Sequence, residues 1–210
     1  MRVGSQLWQP TLDAAAPVHW RDLSRANRTE LDGSAWIDHL PSWLQGGDDV
    51  MTSLVTDVDW RSECRQMYDR VVAVPRLTRH FSRYRNVPSA EVVSAGDRLT
   101  DHYTNKRWEP FVSAGLCLYR TGADSVAWHG DRIGRGASKD VLVAILSLGS
   151  PRRLLLRPRG SGPSVSFTLN HGDLLVMGGS CQRTWDHCVP KTKQCDGPRI
   201  SIQFRPQGVA

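Results

Sequence analysis

From residue 111 onward the chain alternates apolar and polar positions in short runs: 114–119, 125–129, 141–148, 153–157, 165–169, 173–177, 185–189 and 200–205. Successive side chains in a strand point to opposite faces, so each run reads as a strand of ordinary length. The separators are turn chemistry: Thr121-Gly122-Ala123-Asp124, Gly149-Ser150-Pro151, Arg159-Gly160-Ser161-Gly162-Pro163, Asn170-His171-Gly172 and Gly178-Gly179. Short strands punctuated this closely predict a sandwich or a barrel.

Before residue 111 the pattern differs. Ala35-Trp36-Ile37-Asp38-His39-Leu40 is a short alternating strand, and Pro41 follows it. A helix is predicted from 48 to about 56, with Asp48 and Asp49 where an N-cap belongs, and a second from about 89 to 103. Arg and aromatic residues crowd the stretch from Trp60 to Arg85. The opening residues mix Ala, Pro, Asp and Arg without periodicity, which suits a loosely held arm, or else a strand that completes the sheet. The expected organisation is an arm over 1–34, helices and the Arg-rich region over 35–110, and a β core over 111–210, one domain overall. The fold class is α+β, mainly β: a double-stranded β-helix, a cupin-like jelly-roll, with helices packed on one sheet.

Composition narrows the class. Hydrophobic residues make up 40% of the chain and charged ones 23%, the balance of a soluble globular protein. The longest apolar stretch, 141–148, is strand-sized and too short to cross a bilayer. The N-terminus lacks the apolar core of a secretory signal, so a cytoplasmic protein is expected, with no membrane association and no obligate protein partner. Cys64, Cys117, Cys181, Cys188 and Cys195 are odd in number and hold no CxxC pair, which favours reduced thiols over a zinc site. The net charge of +6 agrees with a polyanionic partner, because Lys and Arg release counterions from phosphates. A generally basic surface would carry the same charge.

The candidate chemistry starts at His129-Gly130-Asp131. Residues two apart on a strand share a face, so His129 and Asp131 point together, and Gly130 leaves room beside them. His187, far along the chain in a strand-like run after Trp185, is the second imidazole. Two neutral imidazoles and one carboxylate bind Fe(II) on one face and leave the other open for a cosubstrate and dioxygen. A structural zinc site would instead close four ligands, usually with thiolates. His171 is a rival ligand, but Asn170-His171-Gly172-Asp173 reads as a hairpin turn with a solvent-facing imidazole.

In Arg199-Ile200-Ser201-Ile202-Gln203-Phe204-Arg205 the odd positions are polar and the even ones apolar. Both guanidiniums therefore share a face. A half-exposed strand with a wet basic side is one account. In the other, the polar side faces into the barrel, where Arg199 pairs with one carboxylate of 2-oxoglutarate and Arg205 pairs with the other or orients its neighbours. The position of this strand, a short loop after His187, favours the second.

Taken together, these residues resemble the AlkB family of 2-oxoglutarate/Fe(II) dioxygenases. The matching elements are Leu118-Tyr119-Arg120, then 124–131 ending in Trp128-His129-Gly130-Asp131, then Gly172-Asp173-Leu174-Leu175-Val176-Met177. Trp185-Asp186-His187-Cys188-Val189-Pro190 follows, and then Pro198-Arg199 through Arg205. Val74-Pro75-Arg76 is similar to the family's segment near the nucleotide-recognition lid. The resemblance implies His129, Asp131 and His187 as ligands of Fe(II), and Tyr119, Arg199, Ser201 and Arg205 as the 2-oxoglutarate site. It implies oxidative demethylation of alkylated bases in DNA or RNA: 2-oxoglutarate and dioxygen yield succinate and carbon dioxide, an N-methyl carbon is hydroxylated, and formaldehyde is lost. The base would be flipped out or taken from a single strand. Three positions depart from the family pattern: Cys117 and Ser201 stand where Asn is usual, and Ile133 where readers of adenine or cytosine often carry an acid.

On the substrate side, Arg76, Phe81 and Tyr84 are the candidates for stacking or phosphate contact, with Arg85 beside them, and Arg132 and Arg135 for phosphate at the rim. Trp128 is expected to face away from the metal into a core, and Met67 and Tyr68 read as strand core rather than base pocket. The alternatives are an oxygenase acting on a protein side chain or small metabolite, and a non-catalytic nucleic-acid-binding module of the same fold.

Overall fold

The alternating runs resolve into two large antiparallel sheets, beside a small two-stranded one. A computed structural model describes residues 17–67, 70–131 and 134–209, with the backbone alone at 63–67 and 70–73. In chain order the strands are β1 (His19–Trp20), β2 (Asn27–Glu30), β3 (Ala35–Leu40), β4 (Leu44–Gln45), β5 (Arg61–Met67), β6 (Arg70–Phe81) and β7 (Phe111–Tyr119). Then come β8 (Val126–His129), β9 (Val143–Gly149), β10 (Arg152–Pro158), β11 (Val165–Leu169), β12 (Leu174–Gly179), β13 (Trp185–Val189) and β14 (Arg199–Pro206). The helices are α1 (Asp48–Asp57), α2 (Ala90–Thr104) and the single turn α3 (Cys181–Thr184).

One sheet has the order β2-β3-β12-β9-β14-β7-β6-β5, and the other β11-β10-β13-β8. Alternation assigns the faces. Val143, Ile145, Leu175 and Met177 of the larger sheet meet Leu154, Leu156 and Val189 of the smaller one. Their neighbours Ala144, Leu146, Val176, Ile200, Ile202 and Phe204 point the other way, beneath α1 and α2, where Met51, Leu54, Val92 and Leu99 close a second core. Apolar burial on both faces, about 1.5–3 kcal/mol for each fully buried large side chain, is what holds the helices to this sheet. The result is the expected jelly-roll with helices on one sheet.

Local chemistry explains the helix ends. Ser89 caps α2 by accepting from the Val92 amide at 3.3 Å. At α1 the cap is Gly47, with no side-chain bond, and Asp48 and Asp49 lie in the first turn instead of at the cap, where their charge suits the positive end of the helix. Of the two readings of the opening segment, residues 27–30 take the strand: β2 pairs with β3 at the edge of the larger sheet. Asp38 of β3, buried under α2, accepts from Arg28 at 2.7 and 2.9 Å and from the Tyr103 hydroxyl at 3.0 Å. Among the described residues no helix is long and apolar enough to cross a membrane. Cys117, Cys181, Cys188 and Cys195 are free thiols, as expected.

Candidate active site

The two sheets bring the HxD segment and His187 together through strand pairing. β13 runs antiparallel to β8 with His187 opposite His129, and their rings lie 4.3 Å apart between centroids. Asp131 follows β8 directly, and one ligand atom from each of His129, Asp131 and His187 lies within 4.8 Å of the others. His129 Nδ1 sits 2.8 Å from the Ala127 carbonyl, so that nitrogen is the donor to it and Nε2 is the one left for a metal. Asp131 and His187 are buried. The Asp131 amide donates to Gln182 Oε1 at 3.1 Å, and Arg205 Nε donates to Asp131 Oδ2 at 2.8 Å. Burial alone would raise the Asp131 carboxyl pKa, but Arg205 and then His187 outweigh it and hold it at about 2. The carboxylate is ionised, with one oxygen taken by Arg205 and the other, 3.9 Å from His129 Nε2, on the side of the imidazoles. This donor set fits Fe(II).

A cavity runs from these three residues between the sheets to Tyr119 and Arg199. The polar side of β14 faces it, because the apolar side is committed to the helix core. Arg199 is only 2% exposed. Its Nε donates to Ser147 Oγ at 2.9 Å, and its Nη1 has no hydrogen-bond partner. Burial lowers its pKa, and the interaction with Tyr119 offsets this only in part. A buried cation with an open donor fits an anionic carboxylate. Tyr119, opposite Arg199 across the β14–β7 ladder, is pushed up to about 12 by burial, so its hydroxyl stays a donor at neutral pH. Arg152 lies over the Tyr119 ring and donates to the carbonyls of Asp124 at 2.8 Å and Pro190 at 2.7 Å. Ser201 is buried opposite Cys117, so small side chains occupy two of the three positions that depart from the family pattern. Arg205 orients Asp131, the second of the two roles expected for it.

The substrate-side expectations fare unevenly. Arg76 lines the cavity and donates to the Ser125 carbonyl at 3.4 Å. Phe81 packs against the helix-side core instead of the cavity. Tyr84 is 5% exposed, meets Phe204 edge-on, and donates its hydroxyl to Asp97 at 2.5 Å. It presents no face for a base to stack on. Aromatic side chains beside an apolar sheet gain more by burial than by waiting at a surface. Arg135 is tied to Glu109 by an ion pair, with Nη1 at 2.7 Å from Oε2. Arg132, Ile133 and Tyr68 lie outside the described residues, as does the Met67 side chain. The strand period shows what was missed: Thr78 and His80 share the face of Arg76, while Leu77 and Phe81 share the packed one.

Two further expectations are corrected. His171 is half-buried, accepting from the Gly149 amide at 3.1 Å, and so braces a turn instead of facing solvent. Trp128, expected in a core, is part of neither; it is half-buried under the Arg157 guanidinium, 4.2 Å from the ring centroid. Gln182 and Gln203 were not singled out, and only the alternation of β14 could have pointed to the second.

The family model described as 2OG-Fe(II) oxygenase superfamily matches residues 52–205. Alpha-ketoglutarate-dependent dioxygenase alkB homolog 3 of Bos taurus is 30% identical over 190 residues, covering 77% of this chain and 62% of that protein. The chain therefore spans under two thirds of that relative's length. DNA oxidative demethylase ALKBH2 of Arabidopsis thaliana is 35% identical over 120 residues, covering 45% of this chain and 37% of that protein. The solved structure of OsALKBH1 superposes with a TM-score of 0.60 at 16% identity, covering 84% of this chain and 100% of that one, a likeness of fold. The chain belongs to the 2OG-Fe(II) oxygenase superfamily and is AlkB-like within it, a membership that implies Fe(II), 2-oxoglutarate and dioxygen.

Proposed function

We propose that this protein is an Fe(II)- and 2-oxoglutarate-dependent dioxygenase that demethylates alkylated bases in DNA or RNA. The observation that carries the reading is Arg199: a buried guanidinium with an open Nη1, in the same cavity as His129, Asp131 and His187. His129, Asp131 and His187 would hold the metal, and Arg199, Tyr119 and Ser201 the 2-oxoglutarate. Bound Fe(II) supplies oxidative decarboxylation of 2-oxoglutarate by dioxygen, coupled to hydroxylation of the substrate.

The protein's own residues prepare that chemistry. The Ala127 carbonyl holds the His129 tautomer, and Arg205 keeps the second Asp131 oxygen occupied, so the carboxylate offers one oxygen to a metal. Tyr119 stays protonated and can donate to an anion. Val143, Ile145, Leu154 and Met177 form the apolar part of the cavity wall, and a low local dielectric strengthens a guanidinium–carboxylate pair. Support for a nucleic-acid substrate comes from the net charge of +6, from Arg76 in the cavity wall, and from the name of a relative, DNA oxidative demethylase. A base in a duplex must leave the stack to reach such a recessed site.

The test uses protein loaded with Fe(II), given 2-oxoglutarate and a single-stranded oligonucleotide bearing 1-methyladenine or 3-methylcytosine. Mass spectrometry follows the loss of the methyl mass, with His129→Ala as control. Methyl loss that needs both 2-oxoglutarate and His129 is expected. Succinate formation without methyl loss contradicts the substrate and redirects the search to protein side chains or metabolites. Neither product contradicts the enzyme itself.

A further inference from the structure

Two of the positions facing the cosubstrate cavity carry shorter side chains, Cys117 and Ser201, and behind Ser201 stands a longer one, Gln203. All three lie on inward faces: Ser201 is opposite Cys117 and Gln203 opposite Gly115 across the β14–β7 ladder. Gly115 leaves the space they need, since a Cβ there would come within 3.2 Å of Gln203 Oε1 and 2.8 Å of Arg205 Nη1.

Gln203 Nε2 donates twice to one residue, to the Ser201 carbonyl at 3.0 Å and to Ser201 Oγ at 2.6 Å. The first bond settles the polarity of the second. A carbonyl oxygen accepts only, so the amide end that meets it must be the NH2 end. Ser201 Oγ therefore accepts from Gln203, and the one hydrogen of its hydroxyl must go elsewhere. Among the described residues no acceptor takes it. Gln203 Oε1 is turned to the Cys117 thiol, at 3.8 Å from Sγ. What remains is the cavity, where Arg199 Nη1 also lacks a partner.

We propose that Gln203 is a positioning residue for the cosubstrate: it makes Ser201 an obligatory hydrogen-bond donor into the cavity, aimed at the same anion that Arg199 receives. The pair does with a hydroxyl and a remote amide what a single longer amide side chain at 201 would do with its own N–H. The inference rests on the assignment of the cavity to 2-oxoglutarate. It makes Ser201 the group that touches the anion, and Gln203 the group that fixes the direction of its proton.

A double-mutant cycle tests this, with 2-oxoglutarate titrated calorimetrically into Mn(II)-loaded protein so that no turnover occurs. Ser201→Ala and Gln203→Leu should each weaken binding by about five- to tenfold, the size of one ordinary hydrogen bond. The double variant should be no weaker than Ser201→Ala alone, because Gln203 acts through Ser201. Gln203→Glu should be worse than either, by about a hundredfold, since a carboxylate takes the hydroxyl proton back and adds a negative charge. Mn(II) affinity should be unchanged throughout, which a general distortion of the site would not allow. Ser201→Asn should bind normally with Leu at 203, because the new amide brings its own donors. Losses that add in the double variant, or wild-type affinity in Gln203→Leu, overturn the proposal. A wild-type protein that binds Mn(II) but no 2-oxoglutarate overturns the assignment beneath it, a result that no behaviour of Gln203 can imitate.

Discussion

β14 and β6 lie on either side of β7 in the same sheet, and both carry Arg among apolar residues, yet they place their charges differently. β14 is flanked on both edges, by β9 and β7, and covered on both faces. Every polar group on it needs a partner or a ligand, and its inward face is Arg199, Ser201, Gln203 and Arg205. β6 lies one strand from the sheet edge, with only the hairpin partner β5 beyond it. Its Arg79 turns away from the cavity and pairs with Asp59 at 3.0 Å on the surface, and Phe81 packs outward against the helix side. Where burial constrains both faces, alternation assigns chemistry. Where only a terminal hairpin strand lies beyond, the same residue types can satisfy themselves locally.

The sharpest way to break this comparison is Arg199→Met. Losing the buried guanidinium should weaken 2-oxoglutarate binding by about a hundredfold or more. In the ligand-free protein the same change should leave stability unaltered or raise it, because a buried charge with an open donor is replaced by apolar volume. Denaturant unfolding without ligand checks the second half. Arg205→Met should leave the cosubstrate end intact and release Asp131, lowering metal affinity by about ten- to a hundredfold, as read by metal titration.

Acid unfolding of the metal-free protein separates Asp131 from its surroundings. Its carboxyl is held at about 2, below the ordinary 3.8, so the stability it contributes is present above its unfolded value and is lost as the pH falls through the folded one. Between pH 4 and 2, Asp131→Asn should lose about 2 kcal/mol less than the wild type, measured by urea unfolding across that window. On β6 and in the turn after it the effects are smaller. Arg76→Met should raise the oligonucleotide KM about tenfold with no change in 2-oxoglutarate affinity, and the defect should shrink at high salt. Tyr84→Phe should cost about 1 kcal/mol of stability, through its bond to Asp97, and leave the oligonucleotide KM alone.

Much of the C-terminal half was legible because its constraints are periodic. The runs 165–169 and 185–189 coincide with β11 and β13, and the polar side of 199–205 does face inward. His187 could be chosen over His171 because one sits in a strand and the other at a turn. What was not legible depends on contacts between distant residues. The Arg205–Asp131 pair spans 74 positions, and the bond from the Asp131 amide to Gln182 spans 51. No local pattern records either. The packing of Phe81 and Tyr84 was not legible for a related reason: a segment rich in Arg and aromatics has the same composition whether its rings wait for a ligand or pack on a sheet, and for Phe81 only the register of β6 with β7 decides.

The central claim is that one cavity takes both the metal and the 2-oxo acid. A 2-oxo acid that chelates Fe(II) produces a visible charge-transfer absorption, so the direct measurement is an anaerobic titration of the Fe(II)-loaded protein with 2-oxoglutarate. The band should appear and saturate in the wild type, vanish in Asp131→Ala, and need a far higher concentration in Arg199→Met. Fe(II) bound with no band at saturating 2-oxoglutarate, or a band indifferent to Arg199, would contradict the account.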